Sequence, residues 1–172
     1  MATAVTSIQV NASIQWELTN AVVGFTTTNT GSLAYTKTIT NGTGAIGTAD
    51  MLYAATYTIA ASGTQNLDVA GSVTDFFGNS IAMVRVKYMM VKHASTTTAT
   101  DISFGNHAAP LINWISAATS TVKIYNDGVF LIGSGHGTSY AVTATTADGL
   151  KILNNDSSNS ATVSIVVVGS SA

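Results

Sequence analysis

Apolar and polar residues alternate along most of this chain with a period of two, the spacing of a β-strand that buries one face. The pattern runs through segments 7–10, 14–18, 32–39, 52–59, 82–91, 101–104, 121–125, 129–132, 140–143, 150–153 and 161–168. Thr, Val, Ile, Tyr and Phe, which fit a pleated half-buried surface, supply most of these positions. Turn signals separate nearly all of them. Asp127-Gly128 lies between 121–125 and 129–132 and predicts a hairpin, because both residues tolerate positive φ. Asn41-Gly42, Gly78-Asn79 and Asp148-Gly149 punctuate in the same way, and Pro110 falls between strands. Helical periodicity is nearly absent, with Thr74-Asp75-Phe76-Phe77 the best candidate for a single turn. Many short strands joined by short turns predict an all-β antiparallel sandwich or barrel.

The alternation also assigns faces. Within 82–91, Val84, Val86, Tyr88 and Met90 form the expected core face, and Met83, Arg85, Lys87 and Met89 the opposite one. In 121–125, Val122 and Ile124 oppose Thr121, Lys123 and Tyr125. Residues 1–50 are poor in large apolar groups, with 26–30 and 41–48 nearly coreless, whereas 52–168 is dense. The expectation is one domain over 1–172, with about 1–50 forming an extended arm or edge hairpin that is a candidate for ordering against a neighbour.

Composition changes the picture of the surface. Only 8% of residues are charged and 46% are hydrophobic, against about 25% charged in an ordinary domain. Hydroxyls and amides must cover the outside, which suits a chain packed against neighbours. A net charge of −2 provides no basic field for nucleic acid or anionic lipid. No apolar run approaches the ~18 residues of a membrane-spanning helix. The first residues lack the basic and apolar regions of a secretion signal, so synthesis and folding in a cytoplasm are expected. Zero cysteines exclude disulfides, thiolate zinc sites and thiol catalysis.

Candidate chemistry is sparse. Gly133-Ser-Gly-His-Gly137 matches neither a phosphate-binding loop nor a hydrolase elbow, since no Lys follows and Gly135 sits where serine belongs. It reads as a flexible loop with glycines at positive φ. His93, His107 and His136 lie on separate segments without metal-ligand spacing. The eight carboxylates, Glu17, Asp50, Asp68, Asp75, Asp101, Asp127, Asp148 and Asp156, sit mostly in turn contexts where Asp bonds its own backbone. The Asn-X-Ser/Thr triplets at 11, 41 and 155 are chance matches in so polar a chain. No catalytic residue, metal ligand or cofactor site is assigned, and the chain reads as a non-enzyme. Arg85, Lys87 and Lys92 make up half of the six basic residues and fall on one strand and its end. They read either as a solvated outer face or as a partner-contact patch, in which long stems lie over apolar surface while the heads find carboxylates.

Several stretches carry a family likeness: Thr40-Asn-Gly-Thr-Gly44, Ile59-Ala-Ala-Ser62, Asn66-Leu-Asp-Val-Ala-Gly-Ser-Val-Thr-Asp-Phe-Phe-Gly-Asn79 and Arg85-Val-Lys87. Gly128-Val-Phe-Leu131, Tyr140-Ala-Val-Thr-Ala144 and Gly149-Leu-Lys-Ile152 continue it. From about residue 35 onward the chain resembles small structural proteins of tailed bacteriophages, and residues 1–30 resemble nothing placed. The resemblance implies a capsid decoration, or cement, protein with a jelly-roll-like β-sandwich. Such a protein would sit on the outer surface of the head as a homo-oligomer, trimer favoured over dimer, and clamp adjacent subunits of the major capsid protein. It implies no individual functional residue. Two alternatives remain open at this point: a tail, baseplate or fibre component, and a carbohydrate-binding sandwich that uses Trp16, Trp114 and tyrosines as stacking platforms.

Overall fold

The computed structural model describes residues 5–22, 25–95, 100–111 and 113–172. The secretion-signal reading of the N-terminus falls partly on residues 1–4, outside the described residues. Among the described residues thirteen strands form: β1 (Ser7–Val22), β2 (Phe25–Thr40), β3 (Met51–Ile59), β4 (Thr64–Asp68), β5 (Val73–Thr74), β6 (Ser80–Ile81), β7 (Arg85–His93), β8 (Asp101–Gly105), β9 (Thr121–Tyr125), β10 (Val129–Gly133), β11 (Tyr140–Ala141), β12 (Gly149–Asn154) and β13 (Ala161–Ser170). The protein is all-β, and every strand pairing is antiparallel.

Eight of these strands build the sandwich. One sheet has the order β10-β7-β13-β3, with β11 also pairing β7, and the other has the order β4-β12-β8-β9. Counted along the chain, the eight run first-eighth-third-sixth in one sheet and second-seventh-fourth-fifth in the other, which is the strand order of a jelly roll. Between the sheets lie Tyr53, Ile59, Val86, Met89, Val91, Ile102, Phe104, Ile124, Leu150, Ile152, Val163, Ile165 and Val167, all buried. Strand β13 shows why the alternation works: Ala161, Val163, Ile165 and Val167 point inward, while Thr162, Ser164 and Val166 point outward. Phe104 stacks on Trp114 with centroids 5.2 Å apart, and Phe130 tilts against both. Buried Asn154 pins one end, its Nδ2 donating to the carbonyls of Ile59, Ala60 and Asn159 while its Oδ1 accepts from the Asp156 amide.

Two expectations are corrected, and a strand that was not expected appears. The turn at Asp127-Gly128 exists, with Asp127 at φ 58°, but β9 and β10 belong to different sheets, so it is a crossover between layers and not a hairpin. The short strand β4 was not expected: Leu67 is its only large apolar residue, which is sufficient for an edge strand but leaves no run to read. The faces of β7 are also different. Tyr88 pairs with Val168 but Val86 pairs with Gly169, so Lys87 is the extra residue of a β-bulge. Beyond the bulge the alternation is inverted. There Met89 is a core residue, Tyr88 faces outward under a second cluster and Met90 is exposed; before β7 the chain bends at Val84, which leaves Met83 in the core and Val84 exposed.

The N-terminal region is the expected hairpin, but far longer than the segments that announced it. Strands β1 and β2 each span 16 residues and pair only with each other, from Ser7↔Thr40 to Val22↔Phe25. At ~3.4 Å per residue this two-stranded ribbon reaches ~50 Å. Only its base is seated: Ile39 and Ala49, with Ile8 and Val10, pack on Tyr88, Val166 and Val168 of the outer sheet face. The hydroxyls of Tyr35 and Tyr88 share a hydrogen bond of 2.7 Å beside this cluster.

Candidate docking surfaces

The basic residues that were expected to form one patch are divided by the bulge. Lys87 is 1% exposed, and its Nζ donates to the carbonyls of His136 at 3.0 Å and Gly137 at 2.8 Å. Burial, then the nearby Arg85 charge, pulls its pKa below the usual lysine value. It therefore presents no ammonium at the surface, and Arg85 and Lys87 do not project together from one outer face. Arg85 is half-buried at the start of β7, opposite Ala141 and Ser170. Lys92 is exposed on the outer face, between Ser164 and Val129.

The glycine-rich segment at 133–137 is the cup that holds Lys87. Its glycines are absent from the residues with positive φ, so conformational freedom is not their role. Close approach explains two of them. A Cβ on Gly133 would overlap the Tyr88 ring, and one on Gly137 would lie 2.8 Å from the Gly44 carbonyl oxygen. The cup is tied down by Ser134 N donating to Lys87 O at 2.7 Å and by Gly47 N donating to Gly135 O at 2.9 Å. In sequence, nothing about this loop pointed to a lysine on another strand.

The carboxylates act mainly on the backbone. Asp68 accepts from the Ala70 amide, Asp75 from Phe77 and Asn79, Asp148 from Thr145, and Asp156 from Ser158 and Asn159. Those last two amides hold the Asp156 carboxyl below the usual carboxylate pKa. Asp50 departs from the turn role and ties down the C-terminal end through Ser171. Asp101 pairs with Lys123 at 2.7 Å, and that bond lowers its pKa. The histidines stay apart: His107 Nδ1 accepts from the Ala109 amide, His136 bonds Thr138, and His93 is buried with neither ring nitrogen bonded to any of the described residues. Among the described residues no three His, Cys, Asp or Glu side chains gather as a metal-binding group. No helix there is long and apolar enough to cross a membrane.

What the surface does offer is apolar. Phe76 is 97% and Phe77 73% exposed at the tip of the β5–β6 hairpin, their rings edge-to-face at 5.6 Å. The tip is preorganised. Asp75 Oδ1 accepts the amides of Phe77 and Asn79, both at 2.8 Å, and Gly78 takes a positive φ of 84° to close the turn. A groove of about 630 Å³ runs beside it, lined by Ile8, Met51, Leu52, Phe76, Phe77 and Ile81 among others. The second apolar surface is the ribbon. Its register puts Ile8, Val10, Ala12, Ile14, Trp16 and Leu18 of β1 on the same face as Leu33, Tyr35 and Ile39 of β2, with Lys37 opposite Val10. Ser, Thr, Gln and Asn dominate the other face. Beyond the seated base, Leu33 and Ile14 are 71% and 68% exposed. Trp16 lies across the cross-strand Gly31, where any Cβ would overlap its ring. Of the proposed sugar platforms, Trp114 is packed against Phe104 and Phe130 instead.

No protein-family model matches the chain, and no curated protein matches it.

Proposed function

We propose that this protein is a structural component of a tailed-phage virion, a decoration protein that binds the outside of the head as a homotrimer and stabilises it. The observation that carries this is the Phe76–Phe77 tip. Two adjacent aromatic rings held out from the body by an Asp75-capped turn are a ready anchor for a partner surface, because buried aromatic side chains dominate interface energetics. The groove beside the tip gives the partner an apolar floor, and the major capsid protein is the partner assigned here. A jelly roll and a surface covered by hydroxyls and amides suit the same role, since these groups make interfacial hydrogen bonds at less desolvation cost than charges. The mechanism is burial: copies that bridge capsid subunits add interface energy against the pressure of packaged DNA.

The test is addition of purified protein to heads that lack it, followed by co-sedimentation and heat challenge. Saturable binding and a raised rupture temperature are expected for the natural chain. Phe76→Ser with Phe77→Ser should weaken binding by about 30-fold or more while the isolated protein stays folded. Binding to tails and not to heads would move the assignment to the tail or baseplate.

A further inference from the structure

We infer that the distal half of the β1–β2 ribbon is a clasp for a second copy of this chain, docking its apolar stripe on the outer face of the neighbour's β10-β7-β13-β3 sheet. The inference rests on the assembly reading only for self-association; the head contact at Phe76 and Phe77 is a separate surface.

The occupant is indicated by what the ribbon already does. Its apolar face is a stripe broken by one charge, Lys37 opposite Val10, and where that stripe meets protein, at Ile8, Val10 and Ile39, it lies on the outer sheet face of the roll. The distal part carries the same chemistry with none of the described residues covering it: Ile14, Leu18 and Leu33 are exposed and no charge falls between them on that face. The receiving face continues past the ribbon's own seat. By register, Met90 lies between Val166 and Leu131, and Lys92 between Ser164 and Val129, all on the outward side. Met90 and Val129 are exposed, and Lys92 is the one charge in that block. Each copy therefore holds both halves of a contact that its own base demonstrates.

Size agrees. About 10 residues on each strand lie beyond the Ala12–Tyr35 pair, a footprint of ~35 Å by ~10 Å. In a reciprocal dimer, giving one ribbon and receiving the other covers ~700 Å² of footprint on each copy, close to the per-partner area of a standard stable interface; in a ring the same area is shared between two neighbours. Long unpaired apolar ribbons are a liability for a protein that stays alone. Exchange of a protruding element among identical copies relieves it and closes into a symmetric ring.

The experiment uses the full chain in solution, without phage particles. Sedimentation equilibrium should give a small integral multiple of 17.6 kDa. Ile14→Thr with Leu33→Thr, which keeps strand-favouring residues, should reduce that to the monomer mass with unchanged far-ultraviolet dichroism. Because the chain has no cysteine, two single variants, Ile14→Cys and Leu131→Cys, can be differently tagged, mixed and oxidised. A disulfide joining the two tags is expected, and the Leu33→Thr change should reduce it at least about tenfold. A monomeric natural chain would overturn the inference. So would an oligomer that survives the threonine variant, or one that gives no mixed disulfide; head binding through Phe76 and Phe77 can hold or fail independently.

Discussion

At the scale of single residues, polar side chains here are spent on holding backbone in place. Lys87 is the clearest case: a buried ammonium whose Nζ protons meet two loop carbonyls instead of a carboxylate. Lys87→Met keeps the stem but leaves those carbonyls without their donor. We expect a loss of about 1–3 kcal/mol in chemical denaturation, with faster amide exchange in the 133–137 loop. Acid sensitivity is set by Asp101 and Asp156, whose folded pKa values lie below the ordinary 3.8. Their stabilisation is complete above the unfolded value and is lost as pH falls through the lower folded ones. Unfolding free energy should thus be flat from pH 7 to about 5 and decline below about pH 4, and Asp101→Asn should blunt the decline. Lys87 works oppositely at the alkaline end: with its folded pKa lowered, its titration there favours the folded state.

At the scale of elements, period-two patterning made most strands of the roll readable, because each has one face in water or against the ribbon and one in the core. It failed where backbone geometry overrides the count. The bulge at Lys87 inverts the faces of β7 beyond it, so Met89, which alternation assigns to the surface, is core, while Met83 is core because the chain bends at Val84 before β7 begins. The Asp127-Gly128 turn is visible in sequence, but which sheet receives β10 is decided by the packing of strands far away in the chain. The 133–137 loop shows its glycines but not the lysine they enclose. For the ribbon, only its likeness to an arm or hairpin was legible; its length was hidden because polar residues at 19–20 and 26–30 give no apolar signal. Its stiffness depends on Trp16 lying over Gly31. Gly31→Ala should displace that ring and red-shift its emission, while thermal unfolding of the roll shifts little. The core behaves differently. Phe104→Ala removes a fully buried ring stacked on Trp114 and should cost about 3–5 kcal/mol.

At the scale of the whole molecule, a closed jelly roll carries two apolar features that a solitary protein would have reason to cover: the ribbon stripe and the Phe76–Phe77 tip. They lie on different elements, and the partners we propose for them differ, another copy for the ribbon and the head surface for the tip. Scarcity of charge fits this division, since desolvating hydroxyls and amides costs less than desolvating ions when copies pack together. The decisive measurement is co-sedimentation of the natural chain and the Phe76→Ser/Phe77→Ser variant with heads that lack the protein. Saturable binding of the natural chain, lost in the variant while its solution mass is unchanged, is the predicted result. Absence of binding by the natural chain, or equal binding by both, would contradict a decoration protein anchored through Phe76 and Phe77.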